Sequence, residues 1–402
     1  MKNAIGLWVW FLVTVFVVYS FSLNTASAVF SNVIKTSLHA STFQASIATG
    51  VFILVYACMQ IPAGYLLDRF NSRFVVSSSV FLLALGNIII SFANSLSVFA
   101  LSNFLQGIGA SFAFIAAAVL ISQWFSEKNF PIFFGLTQML SCILTGIIHY
   151  YFTYSLKVYS WRDIYRVLGM FGMILFVFIL IFLKSPSGYK PPKFISFKTS
   201  LGMVFKNNQI LLCALAGGIS FGVLLAYAGL WYLVIQTYYR LDTLQAVSIS
   251  GIIFIGIGIG TPIWGWISNL VKSRIMIIHV TLTLGIMILL MGLYLPHYDI
   301  PTLIILRIVS FFIGFLLSGS MLFYTVVSEI SNSATRGVAI SILNTMVFLI
   351  NIIMLLVPYL FITEISRDFF TYLWVLPFCT LFSLLLVYFI KEPIMVENNE
   401  RS

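Results

Sequence analysis

Twelve long apolar stretches constrain this chain more than any single motif. They run over 5–30, 43–67, 74–93, 98–122, 132–154, 164–183, 209–236, 244–267, 275–295, 301–325, 336–362 and 369–390. About 20 apolar residues suffice for a helix to cross the hydrocarbon of a bilayer. No water reaches the backbone there, so each segment must satisfy its own N–H and C=O groups as a helix. Of the 402 residues, 61% are hydrophobic and 8% charged, whereas soluble domains carry about a quarter charged residues. A mean hydropathy of +1.07 agrees. This composition argues against a soluble enzyme, a disordered chain and a nucleic-acid reader. Cys58, Cys142, Cys213 and Cys379 all fall in apolar stretches, so no disulfide framework or metal-ligand spacing is present. The first stretch is too long for a signal peptide, lacks a small-residue cleavage pattern and is followed by eleven more. The absence of an Asn-x-Ser/Thr sequon fits a bacterial origin.

Basic residues orient the spans. With the N-terminus inside, the cytoplasmic segments hold Lys2, Arg69, Arg73, Lys128, Lys184, Lys190, Lys193, Lys198, Lys206, Lys272, Arg274, Arg336, Lys391 and Arg401. The external segments hold only Lys35, Lys157, Arg162, Arg166, Arg240 and Arg367. Positive charge collects on the cytoplasmic side of membrane proteins, so both termini are expected inside. The net charge of +10 is thus a matter of topology and does not point to a nucleic-acid partner. Residues 184–208 carry five lysines, no acid and three prolines, and read as a cytoplasmic linker. A positive-inside anchor is the stronger reading of that segment; lipid or nucleic-acid binding is the weaker one.

The chain also repeats at half its length. Gly64, Asp68 and Arg73 recur in spacing as Gly265, Asn269 and Arg274, 201 residues later. Ser126-Glu127 with Gly135 recurs as Ser328-Glu329 with Gly337, Arg162-Asp163 as Arg367-Asp368, and Lys184-Ser185-Pro186 as Lys391-Glu392-Pro393. Two six-span halves are expected, at 1–183 and 209–390, followed by a tail at 391–402. Duplicated halves of this kind place a solute site at their interface near the bilayer midplane.

The run Gly64-Tyr65-Leu66-Leu67-Asp68-Arg69-Phe70-Asn71-Ser72-Arg73, with Trp161-Arg162 and Trp124-Phe125 followed by Gly135, resembles the major facilitator superfamily over the whole chain. The resemblance implies an all-α integral membrane fold of twelve transmembrane helices in two pseudo-symmetric six-helix bundles, working by alternating access. It also implies that Gly64, Asp68, Arg69 and Arg73, with Asn269 and Arg274 in the second copy, form a cytoplasmic gate. Gly64 would let helices approach, and the charged residues would form exposed pairs worth about 0–1 kcal/mol each. Three positions depart from the family's pattern. Asn71 stands where Gly is commoner, Asn269 replaces Asp and predicts a weaker second latch, and Asn103 stands where proton-driven exporters carry Arg.

All eleven carboxylates lie in loops, span ends or termini, so a buried-carboxylate proton relay is not visible. A histidine, the span-end Glu329 or the solute's own charge remain as coupling groups, with facilitated diffusion as the other option. Arg307, about six residues into the tenth span, is a functional candidate because an intramembrane cation must find a partner or water. It would suit an anion, or it snorkels outward. His149 continues a stripe of Thr137, Ser141 and Thr145 at four-residue steps, read as lining a cavity or as helix–helix bonding. Further stripes are Ser20, Asn24, Ser27 and Ser31; Ser220, Tyr227, Trp231 and Tyr238; Arg307, Ser310 and Ser318; and Asn344 with Asn351. The candidate solute contacts are therefore Arg307, His149, Asn24, Tyr227, Trp231 and Asn344. Gly256, Gly258 and Gly260 follow no strand and read as close packing rather than a dinucleotide fingerprint.

The expected function is secondary transport of a small organic solute, an organic anion or metabolite favoured, across a bacterial inner membrane. Export of drug-like or siderophore-like compounds is the alternative, and a non-transporting receptor is the alternative from another class. No catalytic cluster, cofactor or metal site is expected. The expected partners are the solute, the lipid bilayer and a candidate coupling proton, with no nucleic acid, and the chain is expected to be a monomer.

Overall fold

The computed structural model describes residues 2–186, 195–231, 243–294, 303–361 and 373–393. Among them the chain is helical and has no strand. In order, the helices are α1 (Lys2–Ser37), α2 (Thr42–Arg69), α3 (Ser72–Ser91), α4 (Leu96–Ala110), α5 (Ala113–Trp124), α6 (Phe130–Ser155), α7 (Trp161–Phe182) and α8 (Phe197–Phe205). They continue with α9 (Asn208–Ala226), α10 (Thr243–Val271), α11 (Arg274–Tyr294), α12 (Leu303–Leu317), α13 (Leu322–Ile330), α14 (Arg336–Phe361) and α15 (Val375–Val387). A π-turn at Tyr227–Trp231 extends α9, and a 3-10 turn at Ser318–Met321 joins α12 to α13.

Eleven of the helical segments are long and apolar enough to cross a membrane, with α4–α5 and α12–α13 each counting as one. The twelfth stretch is represented by the shorter α15, and its start lies outside the described residues. Local chemistry sets several boundaries. Ser41 with Gln44, and Ser160 with Asp163, form capping boxes, while Asn71 and Asn207 cap α3 and α9. Asn71, the departure from the motif, therefore has a local role: its carboxamide accepts from the backbone N–H of Arg73 at 2.9 Å.

Most spans keep a buried face and an exposed apolar face, whereas α9 shows no exposed apolar residue. On α7, Trp161, Ile164, Tyr165, Leu175 and Ile179 are buried, whereas Val167, Ile174 and Ile181 are exposed. Exposed apolar stripes of this length require lipid as solvent.

The residues form two compact units. One comprises Met1–Phe125, Leu140–Leu201 and Asn332–Ser341; the other comprises Ser126–Met139, Gly202–Ser331 and Ile342–Ser402. The start of α14 thus belongs with the first unit and the start of α6 with the second.

The duplication seen in the sequence recurs in packing. A Cβ on Gly107 of α4 would lie 2.7 Å from the carbonyl oxygen of Phe52, and one on Gly314 of α12 would lie 2.1 Å from that of Ile253. Backbone meets backbone at matching places in the two units, which only glycine permits. The second and eighth spans also share an internal proline, Pro62 and Pro262.

Candidate functional site

In the first unit the motif residues gather at the end of α2. Gly64 lies against the start of α14, where a Cβ would come within 2.4 Å of the Gly337 carbonyl oxygen. That approach brings Asp68 onto the N-terminus of α14. Its two carboxylate oxygens accept from the backbone N–H groups of Gly337 at 2.7 Å and Val338 at 3.0 Å. Asp68 is 4% exposed. A carboxylate there satisfies two donors that have no partner within their own helix and meets the positive end of the helix dipole. The arginines point elsewhere. Arg69 donates to Ser200 Oγ at 2.9 Å and lies over the Tyr65 ring, and Arg73 donates through Nε to the Leu180 carbonyl. At Asp68 the carboxylate is a helix cap, and the charges of Arg69 and Arg336 act on it as well.

The second unit carries the matching contact in different chemistry. Gly265 and Gly135 bring α10 against the start of α6, with Cβ distances of 2.8 Å to the Pro131 carbonyl oxygen and 2.7 Å to Pro262 Cα. Thr261 Oγ1 donates to the Gly135 carbonyl at 3.0 Å. Asn269 donates its amide to the Lys128 carbonyl at 2.6 Å and accepts from Arg274 Nη1 at 2.6 Å. An Asp there could make only the second of these bonds. Arg274 also donates to Ser268 Oγ at 2.6 Å and, through Nε and Nη2, to Glu329 Oε1 at 3.3 and 3.1 Å. Side-chain exposures of 1% and 5% make this a buried ion pair. Glu392 completes the cluster by accepting from the backbone N–H groups of Arg274 and Ile275 and from Ser273 Oγ, at 2.6, 3.0 and 2.6 Å. The second copy is therefore a multiply bonded cluster in which Asn269 makes two bonds, while Glu329 Oε2 is buried without a hydrogen-bond partner among the described residues. Glu392 carried no sequence signal beyond its place in a repeated Lys-x-Pro pattern.

The solute candidates fall in separate places. In the first unit, His149 on α6 is half-buried; its Nε2 bonds the Ser22 carbonyl at 3.1 Å, and Thr145 Oγ1 bonds Ser22 Oγ at 3.0 Å. Asn24 is half-buried, two residues further along α1. In the second unit, Asn344 is buried and accepts from the Tyr324 hydroxyl at 2.7 Å. Tyr227 is fully buried, its hydroxyl 3.2 Å from where a Gly292 Cβ would stand. Arg307 is exposed in the second turn of α12, beside the exposed Ile304 and Ile308. The side chains of Trp231, Ser27 and Ser31, and all of Tyr238, lie outside the described residues, as does the Arg367-Asp368 pair.

One buried polar network carried no sequence signal. Asn87 Nδ2 donates to the Tyr19 hydroxyl at 2.8 Å, and that hydroxyl donates to the Leu168 carbonyl at 2.8 Å. It joins α1, α3 and α7, and isolated neutral polar residues in apolar spans give no periodicity to find.

Comparison with known proteins accounts for the pattern. The family model of the Major Facilitator Superfamily matches residues 11–355. An uncharacterized transporter, YybO, of Bacillus subtilis is 24% identical over 191 residues, covering 46% of this chain and 42% of its own. The nitrite extrusion protein of the same organism is 24% identical over 196 residues, 48% of each chain. The Escherichia coli multidrug resistance protein MdtL is 22% identical over 158 residues, 39% of this chain and 40% of its own. This chain thus spans about half the length, or less, of the curated relatives it matches. Among solved structures, the proton:xylose symporter XylE superposes with a TM-score of 0.73 at 14% identity, covering 98% of this chain and 97% of that one. The Escherichia coli fucose:proton symporter FucP gives 0.71 at 16% identity, with 94% and 97% covered. Those likenesses establish the twelve-helix fold. The chain is a multi-pass membrane protein belonging to the Major Facilitator Superfamily, a family of transporters.

Proposed function

We propose that this chain is a secondary transporter for a small polar organic solute, working by alternating access between halves at 1–183 and 209–390. The linker would be 184–208 and the tail 391–402, with both termini cytoplasmic in a bacterial inner membrane. The observation that carries the reading is the matched pair of helix-end contacts, Asp68 on Gly337 and Val338, and Arg274 on Glu329 and Asn269. The first joins residues about 270 positions apart and the second joins Arg274 to Glu329, 55 positions away, each through a few polar bonds at a helix end.

His149 and Asn24, half-buried polar groups on neighbouring helices, are our candidates for touching solute. Asn344 would be positioned by Tyr324, and Tyr227 would serve packing. Arg307 lies on an exposed apolar stripe, which supports an outward-reaching role rather than anion binding. The described carboxylates of the spans lie at helix ends, which supports a neutral or anionic solute over a cationic one. The named activities of the relatives, nitrite extrusion and multidrug resistance, and of the sugar symporters with the same fold, bracket these classes.

The test is a thermal-shift screen of the purified protein against neutral, anionic and cationic metabolites. A ligand at a hundred times its dissociation constant stabilises the folded state by about 2.7 kcal/mol. Hits among sugars or carboxylates that His149→Gln removes support the reading. Hits confined to bulky cations favour efflux of drug-like compounds and overturn it.

A further inference from the structure

The linker contains a short helix whose outer side nothing in the transport reading uses. Between Asp163 and Asp242 the chain has no acidic residue at all. Within that interval α8 spans Phe197–Phe205. Its inner side is fixed by Ser200, 0% exposed and bonded to Arg69, and by Val204, 2% exposed. Tyr65 secures its approach, donating its hydroxyl to the Ile195 carbonyl at 3.1 Å and packing edge-on against Phe197.

Phe197, Leu201 and Phe205 stand at four-residue steps and so form one row along the helix. Phe197 stays 40% exposed and Phe205 53% exposed, with Met203 at 40%. Lys198 and Lys206, both exposed, project from the side adjoining that row, and the exposed Lys184 ends the preceding span. Aromatic and apolar residues held outward beside lysines, with no acid near in sequence, are unsuited to water. They match the boundary of a bilayer, where rings enter the acyl region and ammonium groups meet phosphates.

We propose that α8 is an interfacial foot that seats on the anionic phospholipid surface of the membrane, with Phe197 and Phe205 inserted and Lys198 and Lys206 on headgroup phosphates. Its contact with Arg69 through Ser200 would link lipid composition to the gate motif. The side of the membrane rests on the topology proposed above; the lipid contact itself does not.

The test uses the full chain carrying Phe205→Trp, reconstituted in vesicles of phosphatidylcholine containing acyl-brominated phosphatidylglycerol or acyl-brominated phosphatidylcholine at equal fractions. Quenching of the added indole is taken as the difference from the unsubstituted protein. The proposal expects quenching by both lipids, with apparent affinity for the glycerol lipid several-fold higher. Lys198→Gln and Lys206→Gln should each lower that preference about fivefold, since a basic residue near an anionic surface contributes about 1 kcal/mol. Absence of quenching by either lipid means the row faces water or protein, and overturns the proposal. Equal quenching by the two lipids, unaffected by the lysine changes, overturns the anionic selectivity. A linker on the opposite side of the membrane would still be quenched, so an error of topology is told apart from failure of the lipid contact.

Discussion

Replacing Asp68 by Asn is the sharpest perturbation of the gate, because it keeps shape and removes charge. The carboxylate accepts from Gly337 N at 2.7 Å and Val338 N at 3.0 Å, and the site is 4% exposed. An amide can accept only one of those bonds and turns its NH2 toward the other donor. Hydrogen bonds to charged groups contribute about 1.5–3 kcal/mol and neutral ones about 0.5–1.5, and a stranded buried donor costs about 1–3. Burying a neutral amide rather than an ion recovers part of this. The net weakening is therefore taken as about 2 kcal/mol, a factor of about thirty in the closed-to-open ratio of the α2–α14 contact. Ser341 reports it. A Cβ on Gly64 would lie 2.6 Å from Ser341 Oγ, and Ser341 is fully buried. In a background without native cysteines, Ser341→Cys should be alkylated slowly by a maleimide, and about thirtyfold faster when Asp68→Asn is added. Unchanged alkylation would refute the view that this carboxylate holds the helix end.

Further outcomes follow from other contacts. Arg274→Ala strands Glu329 in a buried site and should lower stability by about 3–5 kcal/mol, read as a fall in melting temperature; Arg274→Lys should restore only part, since it loses the fork that reaches Ser268, Asn269 and Glu329 together. Gly314→Ala should destabilise by about 1–3 kcal/mol, because its Cβ would press on the Ile253 carbonyl, whereas Gly50→Ala, with nothing within 4 Å, should be neutral or stabilising by thermal unfolding. Arg307→Ala should leave the thermal shift given by a solute unchanged; its loss would return Arg307 to the binding site.

Span positions were largely legible because twenty-residue apolar runs in lipid admit only helices. The spacing singled out Gly64 as a place of close helix approach and Gly265 as its repeat, but not their partners, which are Gly337 for Gly64 and Pro131 at the start of α6 for Gly265. What the spacing could not supply was direction. Asp68 bonds a helix terminus 269 residues away, and a partner that is backbone leaves no mark in side-chain sequence. Asn269, expected to weaken its copy, instead bridges a carbonyl and Arg274. Arg307 was singled out for being charged within a span, but charge alone does not tell which face of a helix it occupies. Ile304 and Ile308, three residues before it and one after, share its exposed side and were the available clue.

Net solute flux in proteoliposomes tests the central claim most directly. Purified protein is reconstituted at known density, and uptake of a radiolabelled hit from the ligand screen is followed against empty liposomes. The account predicts saturable, protein-dependent flux that falls at least tenfold in His149→Gln while the variant keeps its fold. Tight binding with no flux across the membrane would contradict it and make the chain a membrane receptor.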